Sequence, residues 1–201
     1  MNDGIFDPQA QIANPDMKII ASLERLGEGF RILLWEKARA LDLSPIQIQI
    51  LIFVRFHSDE KCKVTYLARE FNLTKSTVSE AVKSLEQKGL LRRQTESLDN
   101  RSHTLHLSEA GELTVARAAD FADPMLGSLA KIPSGEKDLL LERLLGVIAH
   151  LQQRGIISIQ RMCFSCRFYR KDDDRHFCAF LDQHLVGREL RVDCREFEAA
   201  E

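Results

Sequence analysis

A mainly α-helical fold carrying one small β-hairpin is what this 201-residue chain predicts, and three observations predict it. Apolar residues recur at helical spacing through most of the first 154 positions. Capping residues stand just ahead of several of those runs. Two short segments, 90–95 and 103–107, instead read as strands on either side of a polar tip, ESLDNRS.

Taken in order, residues 1–15 are polar and proline-containing and read as a flexible arm. From Asp16, read as a cap, a stripe of Ile19, Ile20, Leu23, Leu26, Phe30, Leu33 and Leu34 runs at helical spacing. Gly27 and Gly29 each lower its helix propensity by about 1 kcal/mol, so packing against another element or subunit has to hold this helix. Ser44-Pro45-Ile46-Gln47 reads as a helix start: Ser44 caps, Pro45 takes the first helical position and Gln47 reaches back. That helix runs to about position 56. Residues 64–71 predict a compact helix, Asn72 and Leu73 a turn, and Thr74 the cap of a helix over 75–88. Gly89 follows where a left-handed residue ends a helix, and Val78, Val82 and Leu85 supply the buried face. Beyond the hairpin, Ser108 caps a helix over about 109–130. Pro133-Ser134 opens a last one over about 135–153, with Leu139, Leu140, Leu144, Val147 and Leu151 as its stripe.

The composition, 44% apolar and 29% charged, is ordinary for a soluble globular chain. No apolar run nears the roughly 18 residues of a membrane span. The N-terminus lacks the basic segment and apolar stretch of a secretory signal, so a cytoplasmic protein without membrane contact is expected. The net charge of −2 is neutral toward a nucleic-acid partner, because phosphate contacts need only a local basic surface. Enzyme chemistry is not indicated: the chain has no glycine-rich phosphate loop, no Gly-x-Ser-x-Gly turn and no His-Glu-x-x-His run.

Helix, short turn, helix and two-stranded hairpin, in that order, make a winged helix-turn-helix. The second helix opens with small polar residues and a lysine: Thr74, Lys75, Ser76, Thr77 and Ser79. Short side chains let a helix N-terminus approach phosphates, where its N–H groups and dipole favour the anion. Lys75 and Lys83 add charge, while Ser76, Thr77, Ser79 and Glu80 are placed to meet base edges in a major groove. Arg92 and Arg93 are placed for backbone contact, His103 of the second strand joins the same candidate surface, and Arg101 at the hairpin tip suits a narrow minor groove. Singly, each is an ordinary surface residue. Jointly, the right types occur in the right order on elements that pack together.

The stretch VTYLAREFNLTKSTVSEAVKSLEQKGLLRR and the run LDNRSHTLHLSEAG resemble the MarR family of bacterial regulators, and the resemblance extends over residues 17–154 or so. Asp99, Arg101 and Ser102 match that family's Asp-x-Arg-Ser wing run, and Leu107, Ser108 and Gly111 its Leu-Ser/Thr-x-x-Gly helix start. The resemblance implies a homodimer joined through the N-terminal helix and the last two helices. It implies a recognition helix in the major groove and a wing arginine in the minor groove. A dimer reading two half-sites implies a pseudo-palindromic double-stranded DNA operator. The family further implies repression relieved by a small-molecule effector or an oxidant.

Residues from about 155 have no counterpart in that pattern. They carry Cys163-x2-Cys166-x11-Cys178-x15-Cys194. In a reducing compartment such a cluster points to metal rather than to a disulfide framework. The spacing lacks the second Cys-x2-Cys knuckle of a zinc ribbon, and iron–sulfur clusters use the same four-thiolate chemistry. An iron–sulfur cluster and a structural zinc both stand, as does a redox-switched disulfide. Phe164, Phe168, Tyr169, Phe177, Phe180 and Phe197 either shield a cluster or form the core that any small module needs. His176, His184 and Asp193 are spare ligand candidates. Cys62, between Lys61 and Lys63, is an oxidation sensor if exposed and a core residue if buried.

The organisation expected is an arm over 1–15, a winged-helix DNA-binding and dimerisation domain over 16–154, and a cysteine-rich metal-binding extension over 155–201. The function expected is a sequence-specific transcriptional regulator, a repressor, whose four-cysteine site senses redox state or iron. The alternatives are a ligand-responsive regulator with a purely structural zinc tail, and a winged-helix interaction module that has lost DNA binding. Lys75, Arg92, Arg93 and Arg101 speak against the last.

Overall fold

The computed structural model describes residues 4–96, 99–173 and 175–200, and of residues 95, 96 and 99–102 the backbone alone. The helices are α1 (Pro8–Ala13), α2 (Pro15–Ala40), α3 (Pro45–Phe56), α4 (Val64–Glu70) and α5 (Lys75–Gln87), followed by the hairpin of β1 (Leu91–Glu96) and β2 (Asp99–Leu107). Then come α6 (Glu109–Ala118), α7 (Asp123–Ala130) and α8 (Ser134–Gln153), and a small antiparallel sheet of β3 (Tyr169–Asp172), β4 (Arg175–Cys178) and β5 (Gln183–Leu185). The mainly helical architecture with a β-hairpin wing is as the sequence predicts. Among the described residues no helix is long and apolar enough to cross a membrane.

Local chemistry accounts for most boundaries. The Ser44 hydroxyl accepts from the Gln47 amide at 3.4 Å, and the Gln47 side chain accepts from the Ser44 amide at 2.9 Å, closing the expected capping box of α3. Thr74 accepts from the Thr77 amide at 3.2 Å to cap α5, and Gly89, at φ 70°, ends that helix in the left-handed region. At the N-terminus the outcome differs from the expectation. Asp7 caps α1 inside the segment expected as an arm, and Asn14 rather than Asp16 caps α2, accepting from the amides of Asp16 and Met17.

A second difference lies in the helix expected over 109–130, which breaks into α6 and α7. In an unbroken helix Pro124 would have no N–H to donate to the carbonyl of Asp120 and its ring would clash with it; here Pro124 sits in the first turn of α7, and the Asp123 amide donates to that carbonyl at 3.0 Å. The break turns Phe121 inward to meet Phe30 of α2, ring centroids 5.0 Å apart and edge to face.

The core of the winged-helix lobe is built by α3, α4, α5 and the wing. Ile50, Leu51, Leu67, Val78, Val82 and Leu85 are fully buried there, closed below by Leu91 and Leu105 of the strands. A second core lies between α8 and the chain beyond it: Leu145 and Ala149 of α8 pack with Met162, Cys163, Leu185 and Leu190. Gly187 presses so closely on α8 that a β-carbon there would meet the Asp138 backbone oxygen at 2.9 Å, and Arg188 holds Asp138 at 2.8 Å. The cysteine-rich segment thus occupies one face of α8. The stripe read from the sequence, Leu139, Leu140, Leu144 and Val147, lies on another face and is left exposed, as are Ile19, Leu26, Phe30 and Trp35 of α2 and Leu126 of α7.

Candidate functional site

Lys75 and Ser79 of α5, Arg93 of β1 and His103 of β2 line one groove, together with Lys63 and Thr65 at the start of α4. Four of the residues singled out from the sequence are therefore brought together by the fold. The α5 turn beneath them is a hydroxyl cluster: the Thr74 hydroxyl lies 2.8 Å from those of both Ser76 and Thr77. Thr74, Lys75, Ser76, Thr77, Glu80 and Lys83 are exposed, whereas Val78 and Val82 face the core. This is the amphipathic division a helix needs to be anchored on one side and to read on the other. Arg93 is held by Glu86 at 3.1 Å. Alternation along β1 turns the exposed Arg92 away from Arg93, and Arg92 does not line the groove. Arg101 lies on β2 by its backbone, and its side chain falls outside the described residues. Lys63 and Thr65 were not legible as site residues, because nothing in their spacing separates them from an ordinary helix start.

The wing is pinned at its base. Ser108 caps α6, donates from its hydroxyl to the Gly89 carbonyl at 2.6 Å and from its amide to the Leu90 carbonyl at 3.1 Å. Gly111 lies against that same Leu90 carbonyl, where a methyl group would overlap the oxygen. The Leu-Ser-x-x-Gly pattern therefore has a steric meaning: it joins the end of α5 to the start of α6 through one crowded contact.

The four extension cysteines line a single cavity of about 30 Å³, whose other walls include Phe168, Tyr169, Phe180, Leu181 and Leu185. Two pairings set Cys163 and Cys194 there: the Cys163 amide donates to the Arg191 carbonyl at 3.1 Å, and the Cys194 amide to the Arg161 carbonyl at 2.8 Å. Tyr169 faces Cys178 across the β3–β4 ladder. The Arg191 amide donates to the Cys163 sulfur at 3.2 Å, and the Arg191 guanidinium to the Cys194 sulfur at 3.4 Å. Burial pushes both of these thiols up, against the pull of Arg191. Among the described residues no three cysteine, histidine or carboxylate side chains converge closely enough to hold one metal ion between them. The spare ligand candidates are engaged elsewhere. Buried His176 meets the Tyr169 hydroxyl at 2.7 Å, His184 packs edge-on to Phe177, and Asp193 faces His57 of the winged-helix lobe.

That last contact is a feature sequence reasoning missed. Arg161, 7% exposed, fills both hands of its guanidinium: Glu70 of α4 at 2.6 and 3.1 Å, and Asp193 at 2.8 and 3.0 Å. It also reaches the Tyr66 hydroxyl at 3.0 Å, while His57 lies 2.7 Å from Asp193 and stacks on Phe53. Burial pulls the Arg161 guanidinium down, and the hydrogen bonds and charges of Asp193 and Glu70 more than offset it. The node ties the segment holding Cys163 and Cys194 to the first helix of the helix-turn-helix.

Cys62 is a core residue. It is 1% exposed, its sulfur lies 3.9 Å from the Val54 carbonyl, and its own carbonyl accepts from the Leu105 amide at 2.8 Å. Burial, then Asp59 and Glu60, push its thiol up to about 11, and Lys61 opposes them least. In folded protein at pH 8, a disulfide reagent is expected to label Cys62 about 100-fold more slowly than a free cysteine, because the thiolate is the reactive form. Peptide-resolved labelling measures this, and labelling as fast as in the unfolded chain would restore the sensor reading.

Fold and groove together define a winged helix-turn-helix module. Residues 41–102 match the model of the MarR family. The Staphylococcus aureus MepR–DNA complex is similar over 65% of this chain and 96% of that one, with 20% sequence identity and a TM-score of 0.58. A MepR mutant from a multidrug-resistant S. aureus clinical isolate is similar over 67% and 97%, with 20% identity and a TM-score of 0.55. A further S. aureus MepR mutant follows at 66% and 97%, 20% identity and 0.53. At these identities the likeness is one of fold. A search of curated proteins found no match to this chain.

Proposed function

We infer that this chain is a MarR-type DNA-binding transcriptional regulator, a repressor that grips a pseudo-palindromic operator as a homodimer. The observation that carries the reading is the convergence of Lys75, Ser79, Arg93 and His103 on one groove beside the exposed, hydroxyl-rich start of α5. Such a surface supplies charge for phosphates and short donors for base edges on one rigid element. The homodimer is supported by the apolar side chains that α2, α7 and α8 leave on the surface, since a second copy presenting the same helices covers them by symmetry. The cysteine extension is the regulatory part of this reading. Its four thiols hold metal, as an iron–sulfur cluster or as zinc, and Arg161 ties that site to α4. Redox state, iron supply or a small-molecule effector is the signal.

The test is a mobility shift on duplexes selected from a random pool, repeated across salt concentrations. Specific retention that falls steeply with salt is expected. Lys75→Ala is expected to weaken all sequences alike and to lower the slope of log affinity on log salt by about 1. Absence of any retained duplex, or retention indifferent to salt, would overturn the assignment.

A further inference from the structure

Which metal group the extension takes is decided by how its thiols are arranged, and the geometry points to a four-iron, four-sulfide cluster held by Cys163, Cys166, Cys178 and Cys194. The inference rests on the reading of the extension as a metal-holding segment and goes beyond it by choosing between a cluster and zinc. A single zinc ion bonds four sulfurs at about 2.3 Å, which draws them to roughly 3.8 Å from one another around a point. Here the four thiols stand around a cavity of about 30 Å³, about twice the smallest space that holds a water molecule. No three of the described ligand-type side chains close on a single ion. A cluster is itself a body with an iron at each of four corners, so its cysteines stand apart and each bonds a different iron.

The walls fit the same occupant. Phe168, Phe180, Leu181 and Leu185 face the cavity beside Glu189 and Glu196; buried Leu185 closes its inner side, while Phe180 and Leu181 stay exposed, so the apolar side chains limit the approach of water without sealing the site. When a cluster is taken up, each cysteine passes its thiol proton to solvent water, and its sulfur bonds one iron in place of a solvent-derived ligand that leaves. Four thiolates outweigh the positive charge of the iron–sulfide core, so the loaded site is anionic. Arg191 answers that charge with two donors, its amide to Cys163 and its guanidinium to Cys194. Hydrogen bonds to cluster sulfurs are among the factors that set a cluster's reduction potential. Glu196 accepts from the Cys194 thiol and from the Arg191 guanidinium, the latter at 2.6 Å.

The experiment is metal, sulfide and spectral analysis of the full chain purified without oxygen, before and after incubation with ferrous and ferric iron in equal amounts and sulfide, which together supply the charge of the core without a further oxidant. About four irons and four acid-labile sulfides per chain are expected, with a broad absorption near 400 nm. Cys178→Ser is expected to lose the four-iron signature. Arg191→Ala is expected to keep iron and sulfide while its reduction potential falls, which a merely structural role for Arg191 would not produce. One zinc per chain without sulfide would overturn the cluster and leave the metal-holding reading intact. A folded chain that takes up neither would overturn both, and DNA retention measured on the same preparation reports on the regulator reading separately.

Discussion

Arg161→Ala is expected to lose about 3 kcal/mol of stability, seen as a lower urea midpoint for the helical signal. Removing one member of a buried ion pair leaves the other charge without a partner, an effect of roughly 3–5 kcal/mol. The lower end applies because the Asp193 side chain keeps 45% of its exposure, whereas that of Glu70 keeps only 16%. The loss is not confined to the carboxylates, since Arg161 also lies over the rings of Phe53 and Tyr66 at 5.3 and 5.9 Å. Arg31→Ala is the control: Arg31 holds Glu28 in three short hydrogen bonds on an exposed face, and such pairs contribute at most about 0.5 kcal/mol. Equal losses in the two variants would show that the Arg161 node bears no special weight. A double-mutant cycle with Glu70→Ala isolates the pair itself, and a coupling of about 1–3 kcal/mol is expected.

Gly111→Ala is expected to destabilise by a similar amount for a steric reason. In an open helix interior, alanine is favoured over glycine by about 1 kcal/mol. At position 111 the added methyl group overlaps the Leu90 carbonyl oxygen, and the Leu107 side chain is only 3.2 Å away. The obstacle is backbone, so it yields only if β1 or α6 moves, and overpacking of this kind costs about 3 kcal/mol. Gly146→Ala, where the nearest atom is a Phe164 ring carbon at 4.0 Å, is expected to gain about 1 kcal/mol instead. Thermal melts of the two variants should therefore move in opposite directions. If both rise, the crowded joint at the base of the wing is not rigid. Because the same joint sets the angle between α5 and the wing, Gly111→Ala is also expected to weaken DNA retention.

The parts of the fold written in local chemistry were legible. Ser44, Thr74, Ser108 and Gly89 mark helix ends through bonds to their own neighbours, and the structure places each as a cap or terminator. The groove residues followed, since α5 and the wing are adjacent in sequence and bring Lys75, Ser79, Arg93 and His103 together at short range. What stayed hidden depends on distant partners. Arg161 meets Glu70 across 91 positions and Asp193 across 32, and no periodicity announces an ion pair of that span. The strands of the extension are three or four residues long and carry charge, as in Tyr-Arg-Lys-Asp of β3, so alternation never builds up. Asn14 is hard to read as the α2 cap because Pro15, which marks the first turn, closes a polar segment that reads as an arm. The stripe of α8 was visible, but the existence of a second apolar face against the extension was not, because Leu141, Leu145, Ile148 and Ala149 interleave with it.

The exposed helix faces bear on how such a regulator responds to its own abundance. Ile19, Leu126 and Leu139 leave apolar surface in water, which the proposed second copy would cover. In such a pairing, paired molecules scale with the square of the unpaired ones while most of the chain is single. Occupancy of the proposed two-part operator would then climb faster than the rate of synthesis. A modest change in expression would be sharpened without any chemistry at the cysteines, and the cell's dosage of this chain would become an input in its own right.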